Sequence, residues 1–292
     1  MKVSAIVPTH DRYDSLCRTL ASVRRQNYDI DIEFIVIDDA SNPPLPPLPD
    51  DVKVIRFDNN VGACVGRNSG VKVASGDLLL FIDDDAEFIS EDSLSRAVEW
   101  FTNWPELGAV GFRQLTPDRQ VHYMQPANTE VPVRSGIFFA YGCMVRREAF
   151  ETVHGLNEEF GYYYEEIEFS LKLLSSGYEV IYDPELMVIH HQDDRHRNWT
   201  NIRRKTTCNA CLSYLIHYPS LMLIGLIPKR LLFHAQQLDY QIGMWLSDIY
   251  WVSGELWSRR GYVLNHRKPL SWSVIQRFHS LCNHPKPISK QV

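Results

Sequence analysis

The sequence predicts an α/β domain built on a mostly parallel sheet, followed by an all-helical region, and three observations carry that expectation. Short β-rich apolar runs alternate with segments of helical spacing through the first half, the signature of βαβ units. Several of those runs end in polar residues that a parallel sheet would bring to one edge. After about Trp199 the strand-like runs stop. At 292 residues, 45% hydrophobic and 23% charged, the chain is long enough for a sizeable core. That composition excludes disordered, collagenous and disulfide-scaffold classes.

In order, strands are expected at Val3–Val7, Glu33–Ile37, Val52–Phe57 and Leu78–Ile82, with helices at Tyr13–Gln26 and Gly62–Ala74 between them. Leu16, Leu20 and Val23 share one face of the first helix. Asn42–Pro49 holds five prolines in eight residues, which excludes helix or central strand and predicts an extended surface loop. A helix then runs from Ser90 to about Asn103, a strand lies near Ala109–Phe112, and residues 114–134 read as a flexible loop beside the site. A strand over Ile137–Val145 and a short helix over Arg146–Val153 follow. Tyr164–Ser176 reads as a helix closed by Gly177, succeeded by strands at Glu179–Tyr182 and Met187–His190.

Charge divides the chain. Residues 1–194 hold 16 Lys and Arg against 33 Asp and Glu, whereas residues 195–292 hold 14 against 3. The acidic body is rich in cation ligands, and the basic tail suits an anionic partner, a membrane surface before nucleic acid. The apolar run Val3–Val7 is stopped by Pro8, so no secretory signal is read there. Leu212–Phe233 is apolar but broken by His217, Pro219, Pro228, Lys229 and Arg230. Interfacial helices are its first reading, with a buried helix and a spanning helix as alternatives. The six cysteines show no framework and are read as reduced thiols of a cytoplasmic protein. Cys208 and Cys211 form a lone C-x-x-C, which argues against zinc or redox work.

Asp83, Asp84 and Asp85 directly follow the apolar strand Leu78–Ile82. Alone, such a run reads as a solvated acidic turn. Adjacent carboxylates can equally share a hard cation, Mg²⁺ or Mn²⁺, completed by substrate phosphates. The other strands of this half also end in polar segments: VPTHDR (Val7–Arg12), VIDDAS (Val36–Ser41) and DNNVGACVGRNSG (Asp58–Gly70). In open α/β sheets ligands sit at that edge. Gly62, Gly66 and Gly70 either open a helix start to a phosphate, with Arg67 beside it, or permit close packing.

Those segments, with NNVGACVGRNSGVKVASGDLLLFIDDDA and GLNEEFGYYYEEIEFSLKLLSSGYEVIYDPELMVIHH, resemble the family 2 glycosyltransferases in content and order over roughly residues 2–192. The resemblance implies a GT-A fold: a Rossmann-like mixed sheet with flanking helices over residues 1–198, its nucleotide-sugar half about 1–112 and its acceptor half about 113–198, plus a helical C-terminal region over 199–292. It implies an inverting transfer from a nucleotide sugar. Pro8, Thr9 and Arg12 would line the nucleotide pocket, with Asp39, before Asp38, accepting from the base. Arg67 would lie by the base or diphosphate, Asp83 on the ribose and Asp84 in the same donor-binding set. Asp85 would ligate a divalent cation, with His190 as a further ligand.

Glu165 and Glu166 open the helix at Tyr164–Ser176. Acidic residues in a first turn need only the helix dipole to explain them. Within the resemblance, Glu166 stands where the family usually has an Asp base, one methylene shorter, and Glu165 precedes it. His190 and His191 must point to opposite faces of a strand, so only one faces an ion. Asp193, Asp194 and His196 follow closely. Tyr141, Tyr163 and Tyr164 suit either an acceptor pocket or the core.

The resemblance also implies a glycan or lipid-linked acceptor, with surface polysaccharide or glycolipid assembly as the pathway. Its C-terminal helices would rest on the inner face of the cell membrane, the alternative being a bundle packed on the catalytic domain or a second subunit. No nucleic-acid partner is expected. The rival readings are a sugar nucleotidyltransferase, which would want a Gly- and Lys-rich loop at the first strand, and a non-catalytic nucleotide-binding membrane scaffold. An aspartate-nucleophile phosphatase would want its acidic pair after the first strand.

Overall fold

The computed structural model describes residues 1–26, 30–192 and 198–288. Asp193, Asp194 and His196 lie outside the described residues. The first half alternates β1 (Val3–Thr9), α1 (Tyr13–Arg24), β2 (Ile32–Asp39), β3 (Val52–Phe57), α2 (Gly62–Val73) and β4 (Leu78–Ile82). β5 (Ala86–Phe88), α3 (Ser93–Asn103), β6 (Leu107–Leu115), β7 (Val133–Arg134), β8 (Gly142–Arg146) and α4 (Arg147–Thr152) follow. A 3₁₀ turn at Glu158–Phe160 leads to α5 (Glu165–Ser175) and β9 (Glu179–His190). The C-terminal region holds α6 (Trp199–His217), α7 (Ser220–Gln236), α8 (Ile242–Ser258), α9 (Arg260–His266), α10 (Trp272–Asn283) and β10 (Lys286–Pro287).

The strands form one mixed sheet in the order β10-β7-β9-β6-β8-β4-β1-β2-β3, with β5 on β9. β3, β2, β1 and β4 are parallel, β8 runs against β4 and β6, and β6 and β9 are parallel to each other. The C-terminal ends of β1, β2, β4, β6 and β9 therefore share one edge, where the start of β8 joins them. β4 is buried along its whole length. α1 lays Leu16, Leu20 and Val23 on the sheet, as its spacing predicts.

Several elements depart from the sequence expectation. The two strands read at 179–182 and 187–190 are one strand, β9, whose register against β6 jumps between Asp183 and Met187. That bulge accommodates Pro184, which cannot donate to a ladder. Residues 137–141 do not join β8. Gly136 runs so close under α10 that a Cβ there would meet Cys282 Sγ at 2.4 Å, and Ala140 N–H donates to Glu166 Oε1 at 3.2 Å. β5, β7 and β10 are too short for periodicity to reveal. β10 pairs with β7, so the tail is not wholly helical.

The C-terminal helices share a core with the α/β body. Leu212, Ile216 and Tyr218 pack in one cluster with Phe150, Phe169 and Leu173, as do Ile275, Phe278 and Leu281 of α10. Leu212–Phe233 is thus two helices broken at Pro219, one largely buried and one half-exposed. Among the described residues no helix is long and apolar enough to cross a membrane. Part of the basic charge turns inward: Arg203 and Arg204 pair with buried Asp248 at 3.0 and 2.6 Å, and His234 meets the same carboxylate at 2.9 Å. The six cysteines are free. Burial pushes the Cys208 and Cys211 thiols up to about 11 and about 12.

Candidate active site

The shared strand edge opens into a cavity of about 650 Å³. Pro8, Thr9, Arg12, Asp39, Arg67, Asp83, Asp84, Asp85, His190, Glu165 and Glu166 all line it. Topology brings the motifs that follow β1, β2, β4 and β9 together, since parallel strands end together, while Arg67 reaches in from α2 and Glu165 and Glu166 from the start of α5.

Asp83, Asp85 and His190 place one ligand atom each within 4.8 Å of one another. His190 Nε2 lies 2.9 Å from Asp85 Oδ1 and 3.8 Å from Asp83 Oδ2. Asp85 Oδ1 is buried with no hydrogen-bond donor aligned on it. An oxygen-rich set with an orphaned buried carboxylate oxygen fits a hard divalent cation. His191 points the other way, to Glu87 at 2.9 Å, as strand alternation requires. Asp83 thus lies within reach of a cation held by Asp85 and His190, in addition to the ribose contact that the family pattern implies for it.

Asp84 turns inward. It accepts from Thr9 Oγ1 at 2.6 Å, and Arg12 Nη1 bridges it and Asp85 at 3.1 and 2.9 Å. Burial pushes the Asp84 carboxyl up to about 6 against the opposing pull of Thr9 and Arg12. Asp85 is buried too, but the neighbouring His190 ring and the charge of Arg12 outweigh that penalty and hold it below the ordinary carboxylate range.

Asp39 accepts at both oxygens at the start of α2, from Val61 N–H at 2.6 Å and Gly62 N–H at 3.1 Å, and Tyr162 O–H reaches it at 3.3 Å. Asp38 is buried outside the cavity wall, accepting from Ser41 N–H and paired with Arg56. Gly66 and Gly70 face Ile37 and Ile6, where a Cβ on Gly70 would meet Ile6 Cγ2 at 2.6 Å, so these two glycines serve helix-on-sheet packing.

Arg67 is buried with its Nη atoms on protein carboxylates, Asp83 at 2.8 Å and Glu165 at 3.6 Å. It bridges the cation group to the carboxylate pair and is not extended toward open space. Burial and mutual repulsion push Glu165 and Glu166 up, with Arg67 pulling the other way. Glu165 is fully buried, whereas Glu166 keeps partial exposure to the cavity and accepts from Ala140 N–H. Of the tyrosines, Tyr163 is exposed at the rim. Tyr141 lines the cavity and is also anchored in the core, its hydroxyl donating to Phe112 C=O at 3.1 Å and its ring stacking on His190.

The profile described as Glycosyl transferase family 2 matches residues 4–156. The chain belongs to glycosyl transferase family 2. It is 27% identical over 230 residues to the O-antigen biosynthesis protein RfbC of Myxococcus xanthus, covering 67% of this chain and 18% of that protein. The chain thus spans under a fifth of that relative's length. Among solved structures it is similar to a Pyrobaculum calidifontis mannosyltransferase in complex with GDP-Man and Mn²⁺ (TM-score 0.59, 17% identity, 97% of this chain and 86% of that one). It is also similar to residues 1–349 of TarS of S. aureus in complex with UDP-GlcNAc (TM-score 0.63, 15% identity, 85% and 79%). These likenesses show the GT-A fold.

Sequence reading missed Gln114, whose amide Nε2 lies 2.9 Å from His190 Nδ1, and Tyr162 on Asp39. It also missed Trp199, Ile202 and Thr206, which carry the cavity wall onto α6. No local pattern marks these residues, because tertiary packing alone brings them to the site.

Proposed function

We propose that this family 2 member is a divalent-cation-dependent, inverting glycosyltransferase. It moves one sugar from a nucleoside-diphosphate donor, UDP- or dTDP-linked, to a hydroxyl of a glycan or lipid-linked acceptor in surface polysaccharide or glycolipid assembly. The observation that carries this reading is one cavity holding both the Asp83, Asp85 and His190 group and the Glu165–Glu166 pair. The similarity to RfbC, an O-antigen biosynthesis protein, supports the pathway class, and the Mn²⁺ and nucleotide sugars of the structural neighbours support the donor class.

Asp83, Asp85 and His190 would hold Mn²⁺ or Mg²⁺, which supplies positive charge to the departing diphosphate. Arg12, already on Asp84 and Asp85, adds a second positive charge beside that leaving group. Asp39 keeps acceptor capacity for a pyrimidine N3–H beyond its backbone bonds. Glu166 takes the proton of the acceptor hydroxyl as its oxygen bonds to the anomeric carbon. The bond from that carbon to the diphosphate oxygen breaks on the opposite face, and the diphosphate leaves with the electron pair. The raised proton affinity of the buried pair suits Glu166 to that task.

The C-terminal helices supply the contact with the inner face of the membrane in this reading. Leu221 and Ile224 of α7 are 69% and 73% exposed one turn apart, near Lys229. Leu221→Glu with Ile224→Glu is expected to abolish sedimentation with phosphatidylglycerol vesicles, and undiminished sedimentation contradicts the membrane contact.

The function itself is tested with a panel of UDP-, dTDP- and GDP-sugars in Mn²⁺ or EDTA, read by thermal shift and by release of free nucleoside diphosphate. Stabilisation by one donor only with metal, accompanied by slow diphosphate release, is expected. No shift with any donor at high metal contradicts the transferase reading.

A further inference from the structure

We propose that Asn209, on the first helix of the C-terminal region, is a positioning residue for the catalytic base, which makes that region part of the catalytic machinery. The proposal rests on the assignment of Glu166 as base. Asn209 is buried, and the two N–H donors of its Nδ2 are shared among three backbone carbonyls, those of Phe160 at 2.9 Å, Tyr162 at 3.0 Å and Tyr163 at 2.8 Å. These carbonyls belong to the segment that delivers the chain into α5, where Glu165 and Glu166 are the first two helical residues.

That segment is strained. Gly161, Tyr163 and Tyr164 have φ of +63°, +70° and +76°, and two of the three are bulky L-residues in the left-handed region. Tyr164 caps α5 without a side-chain hydrogen bond. Three carbonyl oxygens turned toward one point repel one another unless a donor sits between them, and Asn209 is that donor. Without it the turn relaxes toward right-handed or extended backbone, which rotates the first turn of α5 and the Glu166 side chain with it.

Asn209 is absent from the wall of the main cavity, so its effect passes through the turn. A second contact from the same helix anchors α5 one turn further on, where His217 Nε2 meets buried Glu168 at 2.7 Å. α6 therefore grips both the entry and the first turn of the helix that carries the base.

The test compares Asn209→Ala and the isosteric Asn209→Asp with Leu212→Ala, which removes a core contact of the same helix and none of the hydrogen bonds to the turn. Hydrogen exchange is followed without any substrate, UDP affinity is titrated with Mn²⁺, and hydrolysis is timed with the donor selected by the panel. Both Asn209 variants are expected to raise exchange across residues 160–168 about tenfold and lower kcat by roughly ten- to a hundredfold, with UDP affinity within about twofold of the parent. Leu212→Ala lowers Tm while leaving kcat of the folded fraction in place. If Asn209→Ala does not fold, Asn209→Ser is read by the same measurements.

The proposal is overturned if exchange and kcat stay at the parent values. It is also overturned if UDP affinity falls in step with kcat, or if Leu212→Ala reproduces the full pattern. A parent protein that turns over no donor defeats the transferase reading, and the exchange comparison still decides whether Asn209 holds the turn.

Discussion

The two walls of the cavity are built in opposite ways. On one side β1, β2 and β4 each run parallel and each stop at a polar motif, so Thr9, Asp39 and Asp83 to Asp85 meet because the strands end together. On the other side Glu165 and Glu166 sit on a helix whose entry is strained and whose place is fixed from α6, some 40 residues on in sequence. The wall of strand ends, the donor wall of the proposed function, is therefore local, whereas the wall that bears Glu165 and Glu166 is held in part from the C-terminal region, through Asn209 and His217. Arg67 is the link between the two, with one hand on Asp83 and the other on Glu165.

Three substitutions sharpen that contrast. Glu166→Gln removes the base and nothing from the donor wall, so turnover is expected to fall about 10³-fold with UDP affinity unchanged. Retained turnover moves the base to Glu165 or elsewhere. Arg67→Met cuts the link between the walls and leaves Asp83 and buried Glu165 without the cation they share. A loss of about 3–5 kcal/mol in urea unfolding is expected, and a neutral result denies the link.

Glu168→Gln tests the grip of α6 on α5. Burial alone would raise the Glu168 carboxyl, but Lys172 and His217 outweigh it and leave it below the ordinary value. A depressed carboxyl stabilises the fold above its unfolded pKa, about 4.3, and that stability is lost as pH falls through the lower folded value. Glu168→Gln is thus expected to cost roughly 1.5–3 kcal/mol at pH 7, with the difference from the parent closing below about pH 4. A difference independent of pH contradicts the ion pair.

This asymmetry also explains what the sequence made legible. The strands of the donor wall announce themselves by apolar runs and end in DD, DDD and THDR segments, so the strand-end polar motifs were visible locally and the family resemblance supplied their roles. Strand alternation said that only one of His190 and His191 could face an ion, and the family resemblance pointed to His190. On the acceptor side Glu165 and Glu166 were visible as a pair, yet nothing in TTCNACLSY marks Asn209 as the donor to a turn 46 to 49 residues earlier. The tail read as a basic helical appendage because amphipathic spacing does not say what a helix packs against. In the folded chain Leu212 and Ile216 lie in the common core, and Arg203 and Arg204 are spent on Asp248. The strand at Glu179–His190 was divided at Pro184 because a proline in a bulge looks, in sequence, like a proline between strands.

The central claim is that the Asp83, Asp85 and His190 group binds a cation together with a nucleoside diphosphate. Calorimetric titration of UDP into the parent and into Asp85→Asn, each with Mn²⁺ and with EDTA, tests it most directly. The account predicts binding by the parent in Mn²⁺, roughly a hundredfold weaker in EDTA, and little difference between the two buffers for Asp85→Asn. Equal UDP affinity in Mn²⁺ and EDTA for the parent would contradict it.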